Sequence, residues 1–322
     1  MDLPVFGFGS APIGGLGTPV SDEDAAGAIQ AAWSVGVRFF DTAPHYGLGL
    51  SERRLGKALA THRRDEFVVS TKVGRLLMPA DAATTAIDDE GFAVPATLKR
   101  VRDYSRDGVL RSLEASLGRL QMDRVDVLLV HDPDEFCREA LEGAFPALHD
   151  LRAQGVIRAF GAGMNQSAML AEFVRNTDLD VVLLAGRYTL YEQGALDELL
   201  PLCVERGVSV IAGGVFNSGL LASAYPSPSA TYNYAPSPPE VLKRAAQIAS
   251  ICQRHGVSLP AAAVQFVLAH PAIKTACLGA RTAAEVERNA TLFNVRIPTQ
   301  LWADLKAEGL LRDDAPVPSA AA

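Results

Sequence analysis

The chain has 322 residues, 48% hydrophobic and 21% charged, enough to bury the core of one barrel-sized domain but not a second full domain beside it. Its formal charge of -7 comes from interspersed acidic and basic residues without a long run of either sign. That argues against a nucleic-acid footprint or a polybasic membrane patch and points to a small-molecule partner.

In chain order, a short apolar run, a Gly- or polar-rich turn and a longer segment of helical spacing recur about eight times. The runs expected as strands are Val5–Gly9, Val37–Asp41, Phe67–Thr71, Val125–Val130, Ile157–Gly161, Val181–Leu184, Val208–Ala212 and Thr275–Leu278. Several lack polar alternation, as parallel strands covered on both faces do. Ser21, with Asp24 three residues on, reads as a helix N-cap, and Gly36 as its stop. Similar signals frame helices over Ser51–Leu59, Val109–Leu120, Glu135–Gln154, Pro239–His255 and Thr282–Phe293. Alternating strands and helices allow a closed barrel or an open doubly wound sheet, and eight units favour an α/β fold of the (β/α)8 TIM-barrel type. The expected organisation is one domain over residues 1–314 and a disordered tail over 315–322.

Two segments break the rhythm: a polar insertion, Met78–Asp107, after the third strand, and a Pro/Ser/Tyr-rich stretch, Leu221–Pro238, after the seventh. Both would leave the C-terminal face of a barrel, where active sites sit, and are expected to wall or cover a substrate pocket; a surface loop without ligand contact is the alternative.

Asp41, Lys72 and His131 each end an apolar run, and Tyr46 follows Asp41 by five residues in the sequence PHYG. Each has a bland explanation, as a turn former, a solvated cation or a structural histidine. Together they place Asp, Lys, His and Tyr at one rim of a parallel barrel. A buried ammonium about 4 Å from a phenol, at an effective dielectric near 20, favours phenolate by roughly 4 kcal/mol, or about three pKa units. Desolvation opposes part of that shift. On this expectation Tyr46 exchanges a proton, Asp41 pairs with Lys72 and His131 positions the reacting oxygen. The set holds no evident nucleophile or metal site, so proton transfer coupled to hydride transfer is the natural reaction class.

The segments FFDTAPHYGLGLSERRLGKAL, FVVSTKVG, DVLLVHDPD, LRAQGVIRAFGAGMN and GARTAAEVERN resemble an aldo-keto reductase over nearly the whole chain. The resemblance implies a (β/α)8 barrel, bound NAD or NADP, and a catalytic set at Asp41, Tyr46, Lys72 and His131. It also implies cofactor contacts from Gly9, Ser10, Asn165, Gly213 and Gly279. The sequence departs from the family's common pattern at Met164, which precedes Asn165 in place of Ser, and at Ala185, where Gln is usual. Ala212-Gly213-Gly214 replaces the aromatic that stacks on nicotinamide, leaving Phe216 as a substitute, while Asn217-Ser218-Gly219 matches the pyrophosphate loop.

Glu285 stands where NADP-preferring relatives carry an Arg, four residues before Asn289. A carboxylate repels a 2'-phosphate and accepts a hydrogen bond from a free 2'-hydroxyl, so NAD is the expected cofactor. Arg281 and Arg288 lie close enough in sequence to restore phosphate binding, which keeps NADP open. Within the family the segments look most like NAD-linked aldose dehydrogenases acting on L-fucose, D-threo-aldoses or L-galactose, and like pyridoxal 4-dehydrogenase. Oxidation of an aldose at C1 to the lactone is therefore expected, with oxidation of pyridoxal or NADPH-dependent reduction of small aldehydes and ketones as alternatives. His45, Arg75 and Tyr232 or Tyr234 are candidate substrate contacts.

Cys137, Cys203, Cys252 and Cys277 lie far apart without metal-ligand spacing, so neither a metal site nor a disulfide framework is expected. No apolar stretch reaches the roughly 20 residues needed to span a bilayer, and MDLPVFGFGS lacks a signal-peptide pattern. A cytoplasmic monomer or small homo-oligomer without membrane or nucleic-acid partners is expected.

Overall fold

The computed structural model describes residues 3–80 and 86–319. Its strands are β1 (Phe6–Gly9), β2 (Phe39–Asp41), β3 (Val68–Val73), β4 (Arg75–Pro79), β5 (Leu98–Arg102), β6 (Val127–His131), β7 (Ala159–Met164), β8 (Val181–Ala185), β9 (Ser209–Gly213), β10 (Thr231–Tyr232), β11 (Ala235–Pro236) and β12 (Ile273–Gly279). Eight of them close a parallel barrel in the order β1-β12-β9-β8-β7-β6-β3-β2, the (β/α)8 architecture that the eight apolar runs imply. Among the described residues no helix is long and apolar enough to cross a membrane.

Side chains alternate across each strand, so every second residue enters the barrel. Phe39, Val127, Leu129, Ala159, Val181, Leu183, Ile211 and Cys277 form that inner core. The opposite faces, including Phe40, Val69, Leu128, Phe160 and Val182, pack under the surrounding helices. The same alternation carries Asp41, two residues beyond Phe39, and His131, two beyond Leu129, to the top of the interior at the carboxyl ends of β2 and β6. A glycine occupies the crowded position on β7: a Cβ on Gly163 would come 3.4 Å from Lys72 Cε.

The Ser21 side chain caps helix Asp22–Ser34 by accepting from Asp24 N, and Gly36 follows that helix at φ 92°. The helix expected over Glu135–Gln154 is instead interrupted, with a π-turn at Ala140–Ala144 before Phe145–Ala153. Further helices form over Ser167–Asn176, Leu199–Arg206, Leu259–Leu268 and Thr299–Ala307.

Neither inserted segment is an irregular loop throughout. The first begins with the antiparallel pair β4–β5, which aligns Arg75 with Arg102 and Met78 with Lys99, and Phe92 and Val94 of its return limb pack with Leu48 and Tyr46. Residues 81–85 lie outside the described part. The second folds back as β10–β11 around Asn233 and Tyr234, both with positive φ. The expected free tail is docked where it begins: Ala315 is buried and Lys306 Nζ donates to its carbonyl at 3.0 Å. Val317 packs on the core, and residues 320–322 lie outside the described part.

Candidate active site

The centre of the site is a buried ion pair. Lys72 Nζ lies 2.7 Å from Asp41 Oδ2, and it also donates to the Thr42 carbonyl at 2.9 Å and to Tyr46 Oη at 3.0 Å. All three ammonium hydrogens are thereby used. Because Tyr46 Oη accepts from Lys72, its own hydrogen is free to point into the pocket. Ser70 Oγ donates to Asp41 Oδ1 at 2.6 Å and Ser10 Oγ to the Asp41 carbonyl at 2.7 Å, while Ser51 Oγ holds Ser10 Oγ at 2.7 Å. Asp41 is therefore fixed at both its carboxylate and its backbone.

Tyr46 is set by a tight turn. The Gly47 backbone, at φ 61°, passes so close to Gly14 that a Cβ there would lie 2.1 Å from the Gly14 carbonyl oxygen. Glu52, fully buried in helix Leu50–Leu59, accepts from Thr71 Oγ1 at 2.7 Å and from Arg119 Nε at 2.6 Å, which ties this helix to the strand bearing Lys72. The His131 ring stands nearly perpendicular to Tyr46 with centroids 5.8 Å apart, and His45 lies 5.5 Å from His131. The four residues expected at one rim are together.

The electrostatics correct one expectation. Burial pushes the Tyr46 hydroxyl above its ordinary range; Lys72 pulls it down, but Asp41 pushes it back up. Lys72 does not act as an isolated cation, because the carboxylate at 2.7 Å offsets part of its field at the phenol, and burial outweighs what remains. Burial would lower Lys72, yet Asp41 and Tyr46 outweigh it and hold the ammonium above its usual range. Burial, with Arg75 and Lys72 adding repulsion, keeps His131 neutral by lowering it well below the usual imidazole value. Burial and the neighbouring cations Arg75, Arg100, Arg102 and Lys72 push His45 down to about 2.

Several charged groups line the rim. Arg75 Nη2 meets Asp132 Oδ2 at 2.5 Å, and Arg75 Nη1 lies 3.6 Å from Glu90. Arg100, aligned on β5, grips Asp88 at 2.5 Å and donates to the His45 carbonyl at 3.1 Å. The Tyr104 hydroxyl lies within hydrogen-bond reach of the His131 and Asp132 carbonyls, at 2.8 and 3.0 Å. Of these, only His45 and Arg75 were singled out from sequence. Asp132 had a visible signal, since it follows His131 directly, whereas Glu90, Arg100 and Tyr104 reach the site only through the folded insertion.

The cofactor candidates divide. Asn217 Nδ2 donates to the Gly186 carbonyl at 3.2 Å, leaving its Oδ1 buried without a partner among the described residues. Asn217, Ser218 and Gly219 have φ of 45°, 58° and 103°, and nothing lies within 4 Å of a Cβ built on Gly219. Such an open turn with an orphaned acceptor fits a ligand laid along the backbone. Asn165 follows β7, where its carbonyl accepts from Arg187 Nε at 3.0 Å. Gly213 ends β9 at the same rim, and Phe216 packs against the main core.

Other candidates carry structural duties. The Ser10 hydroxyl is spent on Asp41, and Gly9 pairs with Gly279, whose missing Cβ makes room for Pro12. Thr282 caps helix Ala283–Leu292, and Glu285 Oε2 accepts from Arg281 N at 2.7 Å. Arg281 Nη2 donates to the Leu16 carbonyl at 3.1 Å, its Nε is buried without a partner among the described residues, and Asn289 Nδ2 reaches the Gly279 carbonyl at 3.4 Å. Of the two tyrosines considered in the second insertion, Tyr232 bonds to Glu192, while Tyr234 lies within electrostatic reach of Asp132 and Arg187. Among the described residues no group of His, Cys, Asp and Glu could hold a metal ion.

The Aldo/keto reductase family profile matches residues 5–308. D-threo-aldose 1-dehydrogenase of a Pseudomonas species is 45% identical over 312 residues, covering 96% of this chain and 95% of that protein. Pyridoxal 4-dehydrogenase of Microbacterium luteolum is 39% identical over 328 residues, covering 97% of this chain and 95% of that one. A solved aldo-keto reductase from Bacillus halodurans, 22% identical, superposes with a TM-score of 0.73 over 98% of this chain and 93% of its own. A barrel that gathers Asp41, Tyr46, Lys72 and His131 at its carboxyl rim and matches that profile from the first strand to the last helix belongs to the aldo/keto reductase family.

Proposed function

We propose that this oxidoreductase oxidises the C1 hemiacetal of an aldose to the lactone with NAD. The observation that carries the reading is Lys72 donating to Tyr46 Oη at 3.0 Å, which turns the phenol's own hydrogen-bonding direction towards the pocket. The similarity to an aldose 1-dehydrogenase over nearly the whole chain supports the substrate class.

The family works with nicotinamide cofactors. The Asn217–Gly219 turn and the capped end of helix Ala283–Leu292 fit one, by the orphaned Asn217 Oδ1, the open Gly219 and the unpartnered Arg281 Nε. When bound, the oxidised nicotinamide supplies a hydride acceptor whose positive charge favours phenolate nearby.

Oxidation removes a hydride from C1 and a proton from the C1 hydroxyl as the C–O bond becomes a carbonyl. Tyr46 Oη takes that proton. Lys72 stabilises the phenolate that must precede the transfer, and Asp41 with Ser70 holds Lys72 in place. With the proton of neutral His131 placed on Nε2, the N–H lies at the rim 3.6 Å from Asp132, while Nδ1 has no partner among the described residues. That N–H orients the reacting oxygen.

Preference for NAD rests on Glu285, whose carboxylate sits at the capped helix start and opposes a phosphate. Oxidation of pyridoxal is the second reading, favoured by the 39% identical relative.

The test is NADH formation by the purified chain with L-fucose, L-galactose, D-arabinose and pyridoxal, repeated with NADP and after Glu285→Arg. Aldose turnover with NAD is expected, and Glu285→Arg should move the NAD-to-NADP ratio by about 10-fold or more towards NADP, the scale of one charge-assisted contact. Turnover of pyridoxal alone would replace the aldose reading by the second one. An unmoved ratio would remove Glu285 as the determinant.

A further inference from the structure

Asp132 stands beside the reacting centre in a conformation that a non-glycine residue rarely adopts. Its φ is 40°, in the left-handed region, which only short polar residues visit at modest cost. The backbone there is over-determined: Asp132 N donates to the Gly163 carbonyl at 3.1 Å, and the Tyr104 hydroxyl reaches the Asp132 carbonyl at 3.0 Å. A strained residue held this firmly at the mouth of a site suggests use rather than accident. Its carboxylate is directed to the rim, with 28% of the side chain exposed and Oδ2 3.6 Å from His131 Nε2.

Hydrogen-bonding capacity at this spot is only part used. Oδ2 is engaged by Arg75 at 2.5 Å, while Oδ1 has no partner among the described residues. Arg75, 8% exposed, keeps Nε buried without a partner, and its Nη1 is 3.6 Å from Glu90, beyond a good hydrogen bond. The site thus offers an open acceptor and an under-used donor side by side, with Arg75 between Asp132 and Glu90, and Glu90 shared with Arg100. Two neighbouring hydroxyls, one donating and one accepting, would satisfy both groups.

Resting on the aldose reading, we infer that Asp132 and Arg75 form the subsite for a pair of adjacent ring hydroxyls, with Asp132 accepting from one and Arg75 donating to the other. The pair lies next to His131, so it receives hydroxyls close to C1 and sets which aldose configuration presents its C1 hydrogen productively. A small aldehyde without vicinal hydroxyls leaves the pair unfilled, and so does pyridoxal.

The experiment uses the full chain with NAD and compares kcat/KM for an aldose and its 2-, 3- and 4-deoxy analogues in wild type, Asp132→Asn and Asp132→Gly. The glycine variant removes the carboxylate while relieving the positive φ, and ratios within one preparation do not depend on how much of it is folded. Wild type should lose about 10–100-fold with at least one deoxy analogue, the scale of a hydrogen bond to a charged group. Both variants should collapse that ratio towards one. If they lower every sugar by the same factor, Asp132 is only a structural support and the inference is overturned while the aldose reading stands. If wild type turns over no aldose, both fall together.

Discussion

The carboxylate of Asp41 and the ammonium of Lys72 meet at 2.7 Å with both side chains almost fully buried. Each neutralises the other in a place where either alone would be costly. Lys72→Met should therefore destabilise the fold by about 3–5 kcal/mol, because it strips the buried Asp41 carboxylate of its countercharge and leaves Ser70 as its one side-chain donor among the described residues. Adding Asp41→Asn should restore at least half of that loss, although turnover stays abolished. Urea unfolding of the single and double variants measures it; additive losses would mean that the two groups are not energetically coupled.

Tyr46→Phe should lower turnover by about 10²–10⁴-fold while cofactor binding, followed by fluorescence, stays close to wild type. The raised Tyr46 value fixes the sign of the pH dependence. Oxidation needs the deprotonated form and should accelerate as pH rises through the alkaline range, whereas reduction uses the phenol and should be flat across neutrality. An oxidation rate that fell with rising pH would remove Tyr46 as the proton acceptor.

Two imidazoles, His131 buried and His45 largely so, make the fold acid-sensitive. His45 is held down to about 2 and His131 well below its usual value, while both regain a value near 6.5 on unfolding. Below that the unfolded chain binds protons that the folded chain refuses, so the stability they provide is full above about pH 6.5 and declines as pH falls. The groups facing them are Lys72, Arg75, Arg100, Arg102 and the Glu90 carboxylate at 3.8 Å for His45, and Arg75, Lys72, His45, Arg102 and the Asp132 carboxylate at 3.6 Å for His131; burial and the cations outweigh the carboxylates. Each histidine contributes a slope of up to about 1.4 kcal/mol per pH unit. Urea midpoints between pH 7 and 5 check this, and His45→Gln should remove one histidine's share; an unchanged slope would show that His45 titrates alike in both states.

Gly47→Ala should be disproportionately harmful to activity. Its Cβ would sit 2.1 Å from the Gly14 carbonyl oxygen, on a backbone already at φ 61°. Relief requires moving the turn that carries Tyr46, so a loss of about 10²-fold in turnover is expected from a sub-ångström displacement of the phenol. Ala at Gly17, also at positive φ but with nothing within 4 Å, is the control and should cost only about 1 kcal/mol of stability. Equal effects on turnover at the two sites would show that crowding at Gly47 is irrelevant.

The barrel was legible because each strand reads as a short apolar run, and the period of two then carries Asp41 and His131 inward from Phe39 and Leu129. The insertions were not. Arg75–Pro79 and Leu98–Arg102 mix charge and apolar residues without clean alternation, and they pair across a long connection that only tertiary structure closes. The sign of the Tyr46 shift was missed because burial of the phenol outweighs the pull of Lys72, and a charge argument built on Lys72 alone also omits the countercharge of Asp41. Asp132 was visible as a letter beside His131, but its left-handed backbone and its contact with Arg75, 57 positions away, are products of the fold.

Tyr104 marks the boundary at which the first insertion can be exchanged. Its ring lies so close to Gly74 that a Cβ there would be 2.1 Å away, and its hydroxyl braces the carbonyls of His131 and Asp132. A graft that replaces the segment before Arg102 keeps this brace, while it gives up the Arg100 bond to the His45 carbonyl and the packing of Phe92 on Tyr46. A graft that also removes Tyr104 takes the support from beneath His131. Diversification of substrate range on this scaffold therefore has a natural cut point, between Arg102 and Tyr104.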